Sequence, residues 1–319
     1  MALAATNFCS LFRSPLSRAF LQFYSAQSSS SQRPLQESIR AAVEAKTYHE
    51  IPQLLNASKL SHQNPNPFSF LSARSETHRF RIIDEILQSF IPIRPRSLPR
   101  PAYSSLLSYT LESPNPLPLA LAIVQRTLRS GCLPVPQTHL LLSKAWLDHL
   151  HRHQTVASIL SEMRSIGYSP DCGTCNYLIQ SLCKVDHVEE AIQVLRGMGR
   201  VGCIPDLDSF GILITEMSEL RMTSGVVKMV KEMVSVHALN PRKETILKAV
   251  GAMRANRDIW RAVEMIEFLE SEGVGVDSSA RIGARGLLGG STFRFSRKVC
   301  CANDGKRVHT VHKSEAEAV

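Results

Sequence analysis

What most constrains this chain is a period of about 35 residues, seen most clearly at 172–206, CGTCNYLIQSLCKVDHVEEAIQVLRGMGRVGCIPD. The pattern recurs on both sides, and five units tile without a gap: 100–135, 136–171, 172–206, 207–242 and 243–277. Pro134, Pro170, Pro205 and Pro241 are penultimate, with Val276 the exception. Gly131, Gly167, Gly202 and Gly273 stand four residues before each end, with Ala238 in the fourth unit's place. The third position carries Ala102, Thr138, Thr174, Ser209 and Thr245. Proline cannot continue a helix and glycine suits the left-handed cap that stops one, so each unit ends in a sharp turn. A period of this length means stacked helical hairpins.

Within 172–206 the first helix carries Leu178, Ile179 and Leu182 on one face. The second carries Val188, Ala191, Ile192, Leu195 and Met198, the three-and-four spacing of an amphipathic helix. Asp186 followed by Glu189 reads as a capping pair opening that second helix. Neither helix can bury its stripe alone, so neighbouring units must stack. The expected fold class is all-α, an α-solenoid of stacked helix-turn-helix units with first helices lining a concave face.

The strings TCNYLIQSLCK at 174–184, VEEAIQVL at 188–195 and GCIPD at 202–206 closely resemble the consensus of the pentatricopeptide repeat family, in its plain repeats-only class. The resemblance covers 100–277 and is strongest at 172–206. It implies an organellar RNA-binding protein acting in transcript processing, stability or translation. Helical repeat readers of this kind address one base per repeat with two or three side chains. The resemblance assigns that reading to the fifth and last residues of a unit, here Asn176 with Asp206, a pairing that prefers uracil. The other units depart from the pattern: Ser104 with Val135, Leu140 with Asp171, Gly211 with Arg242, and Leu247 with Asp277. One readable unit supplies about 1–3 kcal/mol of discrimination, judged from bidentate contacts to DNA bases. Specific complexes of the DNA kind need about 4–10 kcal/mol, so base edges alone fall short. A protein–protein scaffold in an organellar ribosome or RNA-processing complex is the second reading, favoured by those leucines.

The charge of the repeats also supports that second reading. The chain of 319 residues carries a formal +9. Residues 1–40 hold four Arg against one Glu, and 278–319 hold eight Lys and Arg against three acids, which leaves +1 for 41–277. A strong counterion-release drive for RNA is therefore not evident from the net charge of the repeats.

The remaining segments have distinct characters. Residues 1–33 contain Arg13, Arg18 and Arg33, several serines and no acid, the composition of an organelle transit peptide, mitochondrial with chloroplast as the alternative. That peptide is expected to be disordered. Residues 34–99 read as an N-terminal helical segment and a Pro/Arg linker: a helical pair over 35–57 broken near Pro52, a loop at 64–68 and an amphipathic helix over 76–90. IPIRPRSLPRP at 91–101 reads as extended, and its Arg94, Arg96 and Arg100 either touch phosphates or keep the connector solvated. After Asp277 the pattern stops. The peptide RVHTVHKSEAEAV at 307–319 can be encoded by a DNA that, shifted by one nucleotide, reads GFIPYIKVRQKL, with a unit-like ending. Residues 278–319 are thus expected to be an out-of-frame, disordered tail, to be checked by sequencing a full-length transcript.

Several patterns that carry chemistry elsewhere have plainer readings here. Cys172 and Cys175 form a CxxC pair, but no second ligand pair accompanies them, so they read as packing residues or a free thiol. His149, His151 and His153 fall at the turn of the second unit, where polar residues belong. His187-Val188-Glu189 matches the His-x-Glu of zinc deaminases without their downstream Cys-x-x-Cys. GMGRVG at 197–202 lacks the lysine of a phosphate loop. No catalytic constellation, metal site, cofactor or small-molecule substrate is expected, and no apolar run reaches the roughly 20 residues of a membrane helix.

Overall fold

The computed structural model describes residues 29–57, 66–151 and 155–285, and every regular element among them is helical. Each of the five units supplies two helices. They are α4 (Arg100–Leu111) and α5 (Leu117–Arg129), α6 (Gln137–Leu150) and α7 (Val156–Ser165), α8 (Cys172–Cys183) and α9 (Val188–Met198), α10 (Leu207–Glu219) and α11 (Thr223–Ser235), and α12 (Lys243–Ala255) and α13 (Ile259–Ser271). Ahead of them lie α1 (Ser29–Glu44), α2 (Ile51–Ala57) and α3 (Glu76–Ser89), and behind them α14 (Ser278–Arg285).

The packing follows the amphipathic pattern. First helices touch in series, α4 on α6, α6 on α8, α8 on α10, α10 on α12, and α12 on α14. Second helices form the other layer, α5 on α7, α7 on α9, and α11 on α13. The apolar stripes meet between the layers, with Leu106, Trp146, Leu178, Phe210 and Met253 buried from the first helices and Ile123, Leu160, Leu195, Met233 and Leu269 from the second. Surface ion pairs cross the second layer, Arg196 to Glu232 between α9 and α11 and Lys231 to Glu264 between α11 and α13.

Two recurrent turns set the angles of the array. Between units, Gly131, Gly167, Gly202 and Gly273 take positive φ of 73°, 85°, 83° and 76°. Ala238 adopts the same left-handed conformation at 53° without a glycine's freedom. Within units, Asp186, Arg221 and Arg257 are left-handed at 63°, 59° and 57°. After each of these three, the following amide reaches back five residues: His187 to Leu182, Met222 to Met217, and Asp258 to Met253. Lys46 repeats this geometry, φ 58°, with Thr47 bonded to Ala42. Residues 29–57 therefore close their hairpin with the same device as the units.

Several sequence-derived expectations are corrected. The break in the first helical pair is at Lys46; Pro52 is the second residue of α2, a position where a missing N–H costs nothing. Asp186 does not cap α9, because it is spent closing α8 in the left-handed region, and His187 stands before α9 with no side-chain cap. Segment 91–101 is not extended. It folds into successive turns, with Ile93 bonded to Phe90, Leu98 to Pro95 and Arg100 to Ser97, and Pro101 sits in the first turn of α4.

The ends differ from expectation as well. Helix α1 begins at Ser29, inside the segment expected to be disordered, and is anchored by Leu35, Ile39, Ala42 and Val43 in the core. Residues 278–285 are not a disordered tail: α14 packs on α12 and α13, burying Ala280. Asp277 explains this, since it accepts from the Ser279 amide and the Ser278 hydroxyl and so starts a helix that the repeat template did not announce. The rest of the proposed transit peptide, residues 1–28, and of the proposed out-of-frame tail, residues 286–319, lies outside the described residues.

Candidate nucleic-acid interface

In the third unit the fifth and last residues come together where successive first helices meet. The 172–206 pair is built on a helix cap. Asp206 precedes α10, and its Oδ1 accepts from the Ser209 amide at 2.8 Å. The Ser209 hydroxyl accepts from the Asp206 amide at 3.2 Å, completing a capping box. Asn176, one turn into α8, donates from Nδ2 to Asp206 Oδ1 at 3.4 Å, and the Ser209 hydroxyl lies 2.7 Å from Asn176 Oδ1. Ser209 thus touches both residues of the pair. Asn176 is 8% exposed, so its amide is held close against the helices. Burial pushes the Asp206 carboxyl up, but the bonds from Ser209 and Asn176 together outweigh it and hold the group below its ordinary value.

The second unit's pair is chemically closed. Asp171 Oδ1 caps α8 by accepting from the Thr174 amide at 2.9 Å and its hydroxyl at 2.6 Å. Oδ2 is held by Arg129 through Nε at 3.1 Å and Nη2 at 2.8 Å. Leu140, the unit's fifth residue, is 62% exposed and its side chain offers no hydrogen bond. In the first unit, the Ser104 hydroxyl donates to its own helix at Arg100 O, 3.0 Å away. In the fourth, Gly211 has no side chain and Arg242 pairs with Asp208. In the fifth, Leu247 is part-exposed and Asp277 pairs with Lys243, which holds that carboxyl well below the usual range. Of the five pairs, only Asn176 with Asp206 combines a donor, an acceptor and a charge.

Two further first-helix lysines are paired within the protein. Lys184 meets Glu216 at 3.0 Å and Glu219 at 3.8 Å, and Lys248 meets Glu219 at 2.7 Å. Ser209, Arg129 and Lys243 were not picked out as site residues from the sequence. An Asp with Ser or Thr three residues on, as in Asp171–Thr174 and Asp206–Ser209, is a capping signal that finds the first of them. The two cations answer to carboxylates more than 30 residues away, which no local pattern reveals.

The metal-like patterns resolve into structure. Cys203 Sγ donates to Pro170 O at 3.1 Å and Cys172 Sγ to Ile204 O at 3.3 Å, tying unit ends together. The neighbouring Cys203 and burial push the Cys175 thiol up, and burial pushes Cys183 to about 12. His149 is buried against Asn115, Nε2 to Oδ1 at 3.1 Å, while His151 bonds back to Leu147 O; His153 lies outside the described residues. No cluster of His, Cys, Asp or Glu suited to a metal occurs among the described residues, and no described helix is long and apolar enough to cross a membrane.

Comparison with known proteins places this architecture. Residues 170–219 match the model of the PPR repeat family. A pentatricopeptide repeat-containing protein of Arabidopsis thaliana is 55% identical over 245 residues, covering 77% of this chain and 71% of the relative. The pentatricopeptide repeat protein PPR10 from maize is similar in structure at 18% identity and a TM-score of 0.38, over 85% of this chain and 39% of that one. PPR10 in complex with an 18-nt psaJ RNA element matches at 19% identity and a TM-score of 0.32, over 80% and 42% respectively. The chain thus spans about two fifths of the length of those solved structures. With a period of paired helices, a shared turn at each junction and a relative more than half identical over most of its length, this chain belongs to the pentatricopeptide repeat family.

Proposed function

We propose that this chain is an organellar, single-stranded RNA-binding helical-repeat protein that helps process, stabilise or translate a transcript, acting without catalysis. The observation that carries the reading is the Asn176–Asp206–Ser209 arrangement. Asn176 Nδ2 has two hydrogens and Asp206 takes only one of them. The other can donate to a uracil carbonyl, and Oδ1 can accept from the ring N3–H. Asp206 orients the amide, and its carboxylate caps α10 at the same time, so the reading side chain stands on a rigid element.

Specificity from this one unit is modest, about 1–3 kcal/mol by analogy with bidentate base contacts. Weak or assisted recognition follows. The composition of residues 1–33 favours the mitochondrion, with the chloroplast as the alternative. A protein–protein scaffold is the second reading. It is favoured by Leu140, standing 62% exposed at a reading position, and by the ion pairs that engage Lys184 and Lys248.

Recovery of the tagged protein from organelles after RNA crosslinking, with and without nuclease, separates the two. Crosslinked transcripts that vanish with nuclease support the RNA reading. Partner proteins that persist through nuclease, with no enriched transcript, overturn it in favour of the scaffold. Binding to uracil-containing oligomers by Asn176→Ala, which leaves the Asp206 cap in place, tests the site itself. Unchanged affinity shows that this unit reads no base.

A further inference from the structure

We infer that the turn 91–96 and the C-terminal end of α5 together form a phosphate pocket that takes one backbone phosphate of the RNA at the N-terminal end of the repeats. This rests on the RNA-binding reading above. A recess of about 140 Å³ lies here, lined by Arg94, Arg96, Arg126, Arg129 and Ser130 over a floor that includes Phe90. Four arginines line this one recess, and no carboxylate among the described residues does. The nearest acid among their partners is Asp171, which engages Arg129 alone.

The arginines are not all spent on structure. Arg94 uses Nη1 to close its own turn, donating to Ile91 O at 3.0 Å and Ile93 O at 2.9 Å, which aims the rest of the fork elsewhere. Arg126 lies over the Tyr168 ring at 5.6 Å, and its Nε is buried with no hydrogen-bond partner among the described residues. A buried guanidinium donor without an acceptor is costly, so Arg126 stands beside the recess with one donor unsatisfied. Arg96 makes no ion pair or side-chain hydrogen bond among the described residues, although its backbone carbonyl accepts from Cys132 Sγ. Guanidinium suits this task, because its planar fork matches the geometry of phosphate oxygens.

Position argues for RNA as the source of that phosphate. Arg129 lines the recess and also grips Asp171, the last residue of the second unit. The pocket therefore adjoins the row of reading positions. A strand lying along that row reaches it without leaving the surface. A neighbouring recess on the far side of Arg126 holds Asp84, whose carboxylate accepts from the Tyr168 hydroxyl, and so does not suit an anion. The repeats' near-neutral charge also leaves backbone neutralisation to a local cluster of this kind.

The test is titration of a short fluorescent oligouridylate with the full chain, from about 50 to 200 mM salt, comparing wild type with Arg96→Gln, Arg96→Lys and the control Lys228→Gln. Arg96 and Lys228 are both exposed, so these variants fold. Loss of one phosphate contact lowers the slope of log affinity against log salt by about 0.7 and weakens binding about fivefold at the lower salt. Arg96→Gln is expected to show both effects, Arg96→Lys to keep the wild-type slope, and Lys228→Gln to match wild type. Wild-type RNA binding with an unchanged slope in Arg96→Gln overturns the pocket and leaves the RNA reading intact. No RNA binding by wild type overturns both. A phosphoserine peptide that binds through Arg96 while the RNA slope stays unchanged also overturns the pocket as an RNA site.

Discussion

Arg129 holds Asp171 through two hydrogen bonds, from Nε at 3.1 Å and Nη2 at 2.8 Å, across 42 residues of chain. One carboxylate thereby caps α8 with one oxygen and ties α5 to the next unit with the other. The two jobs differ in weight. Loss of a helix N-cap costs about 0.5–2 kcal/mol. A half-exposed ion pair contributes about 0–1 kcal/mol. Asp171→Ala is therefore expected to destabilise the protein more than Arg129→Ala, with a coupling energy between them of at most about 1 kcal/mol. Urea denaturation of the two single variants and the double variant measures this; equal costs would mean that the cap adds nothing.

Ala238 is the one inter-unit turn residue that pays for left-handed backbone with a side chain, at φ 53°. Ala238→Gly removes a penalty of about 1–2 kcal/mol for a non-glycine residue in that region. Added freedom in the unfolded chain returns about 0.4–1 kcal/mol of it. A net gain of several tenths of a kcal/mol or more is expected, read as a raised denaturation midpoint. Gly202→Ala, at φ 83°, should shift it the opposite way.

Close stacking of second helices depends on Gly197. A Cβ placed there would come within 2.5 Å of Val156 Cγ1, at the start of α7. Gly197→Ala is expected to cost about 1–3 kcal/mol through overpacking. Adding Val156→Ala should recover part of that loss, because the nearer Cγ1 methyl is gone while Val156 Cβ, 2.7 Å from the added carbon, remains. A double variant less stable than either single one would show that the contact is not the cause.

Acid should weaken the array in two stages. Burial, then Lys184, pushes His139 below its ordinary 6.5. A group depressed in the folded state contributes stability above its unfolded value and loses it as pH falls. His139 therefore begins to oppose folding below about pH 6.5, despite its 2.8 Å bond to Ser181 and its stack on Tyr177. The carboxylates follow. Asp206 and Asp258, ordinarily 3.8, and Glu219 and Glu232, ordinarily 4.5, are all held low by their hydrogen-bond partners, so their contribution is complete above about pH 4.5 and lost below it. Thermal melts between pH 7 and pH 3 should fall in both windows, and His139→Gln should flatten only the first.

The solenoid was legible because its signals are local. Apolar spacing in VEEAIQVL, glycine four residues from the unit end and proline beside the end each act within one or two turns of chain. What stayed hidden depends on distance or on backbone shape. Lys184 reads as an available cation until Glu216 and Glu219 arrive from the next unit. Asp186 looks like a cap from its neighbours, yet its φ of 63° places it at a helix end instead. The prolines of 91–101 suggested an extended rod, whereas turn and helix-start positions accept proline equally well. Asn176 with Asp206 was visible as a pair from family resemblance, but Ser209, which joins them, was not.

The left-handed turns at Lys46, Asp186, Arg221 and Arg257 each close within six residues, so a hairpin needs no remote segment to take its shape. Pulled from its two ends, such a chain should lengthen in steps of one hairpin rather than in a single rip. The Tyr168 hydroxyl reaches back 84 residues to Asp84 and clasps α3 to the close of the second unit. Pulling should accordingly meet added resistance where that clasp must part.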